Sequence, residues 1–108
     1  MVETTQLRHV VMFKFKDGTG PDETAEIVRR FSGLQDLVPG IEAFEWGVNN
    51  SPEALSEGLT HCFTLTFGSE AARDAYLPYP EHKAFADWVG NWVEKVVVVD
   101  YWAKPAAS

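Results

Sequence analysis

Three histidines, His9, His61 and His82, supply imidazoles whose ordinary pKa lies near neutrality, so acid–base chemistry at pH 7 starts with them. His82 follows closely on Pro80. With Pro80 at the first helical position, His82 falls in the first turn, where the helix dipole disfavours an imidazolium. Burial acts in the same direction. A neutral imidazole can accept a proton, as a general base must. The adjacent Glu81 would oppose this shift if its carboxylate lay close. Tyr76 precedes His82 across a bend made by Pro78 and Pro80. Its phenol can donate to an oxygen that gains negative charge during a reaction. The spacing alone does not bring the two side chains together. It fits equally a tyrosine packed at a helix end, with His82 bonding the backbone to pin the bend. His9 and His61 sit on otherwise apolar strand faces, where a histidine is usually a core residue with satisfied nitrogens. If both faces look toward the helices, the two line one shared cavity.

Other chemistries find less support. Positions 9, 61 and 82 lack the short His/Cys spacing of a zinc site, and no metal or cofactor is expected. Cys62 points to the opposite strand face from His61, so adjacency does not make them a nucleophile–base pair. A single cysteine forms no internal disulfide. Gly18 and Gly20 belong to a turn; neither the Gly-x-Gly-x-x-Gly nor the Walker pattern is present. Phe85, Trp88, Trp92 and Val93 form an apolar group better suited to a core than to stacking nucleic-acid bases.

The elements that must position these groups are read from period. Leu7 to Lys16 alternates as a strand, with Leu7, His9, Val11, Phe13 and Phe15 on one face. Asp17 to Gly20 is a turn. Pro21 opens an amphipathic helix to Leu37, with Ile27, Val28, Phe31, Leu34 and Leu37 at helical spacing. Pro39-Gly40 ends it. Ile41 to Val48 and Thr60 to Phe67 read as strands separated by a polar loop. Ser69 caps a short helix through Tyr76, a second helical piece runs from Pro80 to about Val89, and Lys95 to Trp102 is the last strand. The order matches the ferredoxin-like βαββαβ unit, an α+β fold with one four-stranded antiparallel sheet and helices on one face. A single domain over residues 7–103 is expected, with loose ends at 1–6 and 104–108.

A sheet covered on one face should show water a polar second face. Val96 to Val99 are apolar on both sides, and Val10 and Met12 stand opposite Val11 and Phe13. The chain has no spare element to cover them, so a second copy is expected to do so, giving a homodimer through the sheet face. The 16 acidic against 9 basic residues, net charge −7, argue against nucleic-acid and anionic-membrane partners. No apolar run approaches the ~20 residues of a membrane span. Residues Met1 to Gln6 lack an apolar signal core. These features fit a soluble cytoplasmic protein.

Four segments, in order, resemble one family. They are His9-Val-Val-Met-Phe-Lys-Phe-Lys16, then Glu45-Trp-Gly47 with Asn50-Ser-Pro-Glu53, then Gly58-Leu-Thr-His61 leading into Phe63 to Phe67, and last Tyr76 to Phe85 with Val98-Val-Asp-Tyr101. The chain resembles the stress-responsive dimeric α/β-barrel (Dabb) proteins over Arg8 to Trp102. The resemblance implies a homodimer whose two sheets close into a barrel. The family holds heat-stable plant stress proteins and a plant cyclase that folds a linear polyketide thioester by intramolecular aldol condensation without a cofactor. In that cyclase a tyrosine and a histidine of a Tyr…Pro-x-His segment act together, which points to Tyr76 and His82 here as the catalytic pair. His9 and His61 match further histidines of the cyclase. The chain departs from it at Tyr79 and Phe31, where the cyclase has a histidine and a pocket tyrosine. The reading that follows is a pocket for a small apolar or polyketide-like ligand, lined by His9, Val11, Phe13, Phe31, His61, Phe63 and Phe85. Two alternatives are a non-enzymatic stress protein whose pocket is filled by side chains, and, by fold analogy, a monooxygenase-like dimeric barrel.

Overall fold

Alternate burial along β1 (Leu7–Phe15) puts Leu7, His9, Val11 and Phe13 on the inner side of the sheet. The computed structural model describes residues 6–107. Helix α1 (Pro21–Leu37) starts as its sequence demands: Gly20 is extended, Pro21 takes the first turn, and Asp22 and Glu23 meet the positive helix end. Its Ile27, Phe31 and Leu34 are buried. The helix stops at Val38, whose N–H bonds Leu34 O, and Gly40 turns the chain at φ +98°. Strands β2 (Ile41–Val48) and β3 (His61–Phe67) follow, then α2 (Glu70–Tyr76), α3 (Pro80–Val89) and β4 (Val93–Trp102). Ser69 Oγ accepts from Ala72 N–H at 3.1 Å to cap α2.

The strands lie in the order β2-β3-β1-β4, and every neighbouring pair is antiparallel. This is the expected ferredoxin-like α+β sheet, its inner face packed with residues of all three helices in one core. Two boundaries differ from the periodic reading. β4 begins at Val93 because Phe15 pairs with it across a register shift after Lys14. β3 begins at His61, while Thr60 still donates its N–H to Phe13 O at 2.9 Å. A second register shift, between Ile41 and Ala43, turns Ile41 to the inner side, where it is buried in the core and the partly buried Phe44 packs against that core.

That bulge leaves Ala43, Glu45 and Gly47 as the outer residues of β2, so the apolar part of the outer face lies on β1 and β4. Val10 pairs with Val99 and Met12 with Val97, with Tyr101 beyond them. Val99 and Tyr101 are about half exposed, at 49% and 50%. The segment between β2 and β3 approaches this face at Gly58, where a Cβ would lie 2.9 Å from Lys14 Cδ and φ is +83°. The positive φ favours glycine there, and any side chain would also have to displace the end of Lys14. Of the expected loose ends, residues 1–5 and 108 lie outside the described residues, while Gln6 O accepts from Ala103 N–H at 2.9 Å. Among the described residues no helix is long and apolar enough to cross a membrane.

Candidate functional site

The helix pair α2–α3 is one amphipathic run broken by Leu77-Pro78-Tyr79. Proline at 78 and 80 removes the N–H groups that would carry a single helix through. Tyr79 is extended and its N–H returns to Tyr76 O at 3.1 Å. His82 clamps the bend: its Nδ1–H donates to Leu77 O at 2.9 Å. The same fold-back lays the His82 ring against Tyr76, with centroids 4.1 Å apart and planes tilted by 35°. His82 thus pins the bend and meets the Tyr76 ring in the same arrangement.

The two groups are tuned in opposite directions. Tyr76 is fully buried, and burial pushes its phenol up, so the hydroxyl stays protonated. That hydroxyl is the one buried side-chain polar atom without a hydrogen-bond partner among the described residues. Burial lowers the His82 imidazole below its ordinary value. The bond to Leu77 opposes this, and a charge on nearby His9 adds to it. The lowering persists although Glu81, exposed on the same turn, could oppose it. The lowering favours the neutral imidazole at pH 7; Nδ1 donates to Leu77 O, and among the described residues no hydrogen bond engages Nε2.

His9 completes the polar end. It is buried on β1, edge-on to Tyr76 with centroids 5.8 Å apart. Its Nδ1 lies 2.7 Å from Asp100 Oδ1. Arg73 Nη1 donates to the other oxygen of Asp100 at 2.9 Å. Tyr76, His82 and His9 border a cavity of about 410 Å³ between sheet and helices. Its walls are otherwise mainly apolar: Val11, Phe13, Phe31, Leu77, Phe85, Val89, Val96 and Val98. Phe31 anchors the aromatic wall, with ring centroids 4.5 Å from Phe63 and 4.8 Å from Phe85. Val96 and Val98, 54% and 51% exposed, mark its open side at the β4 edge.

Seven sequence-selected residues, His9, Val11, Phe13, Phe31, Tyr76, His82 and Phe85, therefore meet on one cavity. Phe63 and His61 do not border it. Phe63 is fully buried behind Phe13 and Phe31 and forms core rather than wall. His61 shares the inner face with His9 but pairs with Phe13, whereas His9 pairs with Leu65. At ~3.3 Å per residue the two histidines stand roughly 13 Å apart along the strands. The idea of one cavity shared by both histidines is therefore corrected. His61 stacks on Trp46, bonds Thr60 Oγ1 at 3.0 Å, and is lowered in pKa by burial. It borders a separate hollow of about 640 Å³ with Met12, Cys62 and Thr64. Among the described residues no group of three or more His, Cys, Asp or Glu side chains could hold a metal ion.

Asp100 and Arg73 escaped the sequence reading. The available signal was an acidic residue directly after the apolar run Val96 to Val99. Only strand register shows that it faces His9.

The model of the stress-responsive A/B barrel domain (Dabb) matches residues 7–103. The chain belongs to this family. A stress-response A/B barrel domain-containing protein, HS1 of Arabidopsis thaliana, is 37% identical over 95 residues, covering 88% of this chain and 87% of the relative. Olivetolic acid cyclase of Cannabis sativa is 27% identical over 95 residues, covering 88% and 94%. Among solved structures, hydroxynitrile lyase from Passiflora edulis superposes with a TM-score of 0.89 at 25% identity, covering 98% of this chain and 100% of that one. A dimeric ferredoxin-like protein of unknown function from Jannaschia sp. superposes with a TM-score of 0.78 at 28% identity, covering 91% and 99%. The Dabb fold thus carries proteins named for a cyclase, a lyase and a stress response.

Proposed function

We propose that this Dabb protein is a homodimer whose protomers each bind a small apolar carbonyl compound and make or break a carbon–carbon bond beside it without a cofactor. One observation carries the reading: on an apolar cavity, a phenol kept protonated touches an imidazole kept neutral, and neither the hydroxyl nor Nε2 is engaged by any other group among the described residues. In the bond-forming direction His82 Nε2 takes a proton from the carbon next to a carbonyl. Tyr76 donates a hydrogen bond to the enolate oxygen that results. The enolate carbon attacks a second carbonyl of the same molecule, the new carbon–carbon bond forms, and the resulting alkoxide recovers the proton from His82. In cleavage His82 Nε2 takes the proton of a hydroxyl, the carbonyl forms as the carbon–carbon bond breaks, and the departing enolate or cyanide carbon takes that proton back from His82. The names of olivetolic acid cyclase and hydroxynitrile lyase, one in each direction, support this class.

The homodimer is supported by the apolar strip on β1 and β4 and by the dimeric state of the Jannaschia neighbour. HS1 favours a second reading, a stress protein without catalysis. A cavity of about 410 Å³ favours a ligand over that reading, since sites for drug-sized molecules begin near ~300 Å³.

The test is turnover of two probes, mandelonitrile (the adduct of benzaldehyde and cyanide) and a linear triketide thioester. His82→Ala is expected to lower turnover about a hundredfold or more. Unchanged rates in both His82→Ala and Tyr76→Phe would remove these roles.

A further inference from the structure

Both imidazoles on the cavity are anchored through Nδ1, and each anchor dictates where the ring proton resides. A backbone carbonyl and an ionised carboxylate only accept hydrogen bonds. His82 Nδ1 faces Leu77 O at 2.9 Å and His9 Nδ1 faces Asp100 Oδ1 at 2.7 Å. Both Nδ1 atoms therefore carry hydrogen, and in the neutral rings both Nε2 atoms are bare. Asp100 is itself held, because Arg73 Nη1 occupies its second oxygen at 2.9 Å. Arg73 is steadied in turn by Asp74, which accepts from Nε at 2.9 Å. The acid–base steps above require neither Asp100 nor Arg73.

We infer that Asp100 and Arg73 are positioning residues that set the tautomer of His9, so that with both rings neutral the cavity presents two bare imidazole nitrogens and one hydroxyl donor to a ligand. Taking the ligand site from the proposed function, this trio names the head group: a hydroxyl beside a carbonyl or nitrile, as in a hydroxy ketone or a hydroxynitrile. Such a head brings one O–H donor, for His9 Nε2, and an acceptor for Tyr76. A simple ketone leaves His9 without a match. A carboxylate sets its lone pairs against those of two nitrogens.

Asp100→Asn tests the device because Arg73 has only donors. The new amide must turn its oxygen to Arg73 and its NH₂ to His9 Nδ1. Nδ1 then accepts, the ring proton moves to Nε2, and the cavity loses one acceptor. Nitrogen-15 correlation spectra of the full chain at pH 8, without ligand, read the tautomer directly. The expected result is Nδ1–H for His9 in the wild type and Nε2–H in Asp100→Asn. In R73A/D100N the amide is free to turn its oxygen back, and the proton returns to Nδ1. Nε2–H in the wild type, or an unchanged tautomer in Asp100→Asn, overturns the inference. A double variant that stays Nε2–H overturns the role of Arg73. In binding, the wild type is expected to prefer 2-hydroxyacetophenone over acetophenone about fivefold, a preference that Asp100→Asn abolishes. Equal wild-type binding of the two probes overturns the head-group assignment. The tautomer result stands apart from turnover, so inactivity toward every substrate would defeat the acid–base reading and leave this one intact.

Discussion

Removing the Tyr76 hydroxyl should make this protein more stable and less active at once. The ring is fully buried and packs against His82, Phe67 and His9 at centroid distances of 4.1, 5.4 and 5.8 Å. Tyr76→Phe keeps those contacts. It deletes only a hydroxyl that has no partner among the described residues. A buried donor left unsatisfied costs about 1–3 kcal/mol of desolvation, which the substitution returns. Taking the lower half of that range, unfolding free energy should rise by about 1–2 kcal/mol. For a domain of this size each kcal/mol moves Tm by about 4–8 °C, so a gain of about 5 °C or more is expected. Differential scanning calorimetry at one protein concentration measures it, the concentration being held because association adds to apparent stability. Turnover of the same variant should fall about a hundredfold, since the lost donor is the one assigned to the developing oxyanion. A Tm lower than wild type would mean that the hydroxyl has a structural partner, and the argument for a donor held in reserve would fail.

Three further predictions concern the tuned histidines and the outer sheet face. Burial lowers His82 and His61 below 6.5, so the unfolded chain binds more protons than the folded one as pH falls below that value. Stability should be fully present above pH 6.5 and decline as acidification passes toward the lowered folded values; urea midpoints at pH 7.5 and 5.5 measure this, and a higher midpoint at pH 5.5 contradicts it. For the same reason the acid limb of kcat/KM should lie below pH 6.5, with no alkaline loss up to pH 10 because burial raises Tyr76. On the outer face, Val99→Lys puts a charge into the strip of Val10, Met12 and Val97 and should shift the protein from dimer to monomer at micromolar concentration. A wild type that sediments as a monomer there would remove the proposed dimer.

Much of the fold was legible because it rests on local period. The alternation through Leu7 to Phe15, the helical spacing of Ile27, Phe31 and Leu34, and the proline break between α2 and α3 each read directly as structure. The exception in β2 is instructive. Its bulge changes the face of Ile41, and nothing in the composition of Ile41 to Ala43 announces an extra residue. At the site, Tyr76 and His82 could be chosen by residue type, and Pro80 correctly placed His82 in a first helical turn.

What remained belongs to register and to the direction of a bend. The chain by itself determined the strands and helices, the apolar walls of the cavity and the chemical types gathered there, because each depends on neighbours a few positions away. Only the tertiary structure decided that His9 meets Asp100, that His61 stands at the far end of the same face, and that the bend folds His82 onto Tyr76 rather than away from it. The physical reason is that antiparallel pairing joins residues 91 positions apart through backbone bonds that are alike at every register. The register is selected by the packing of the whole inner face, and no short stretch of sequence contains that information.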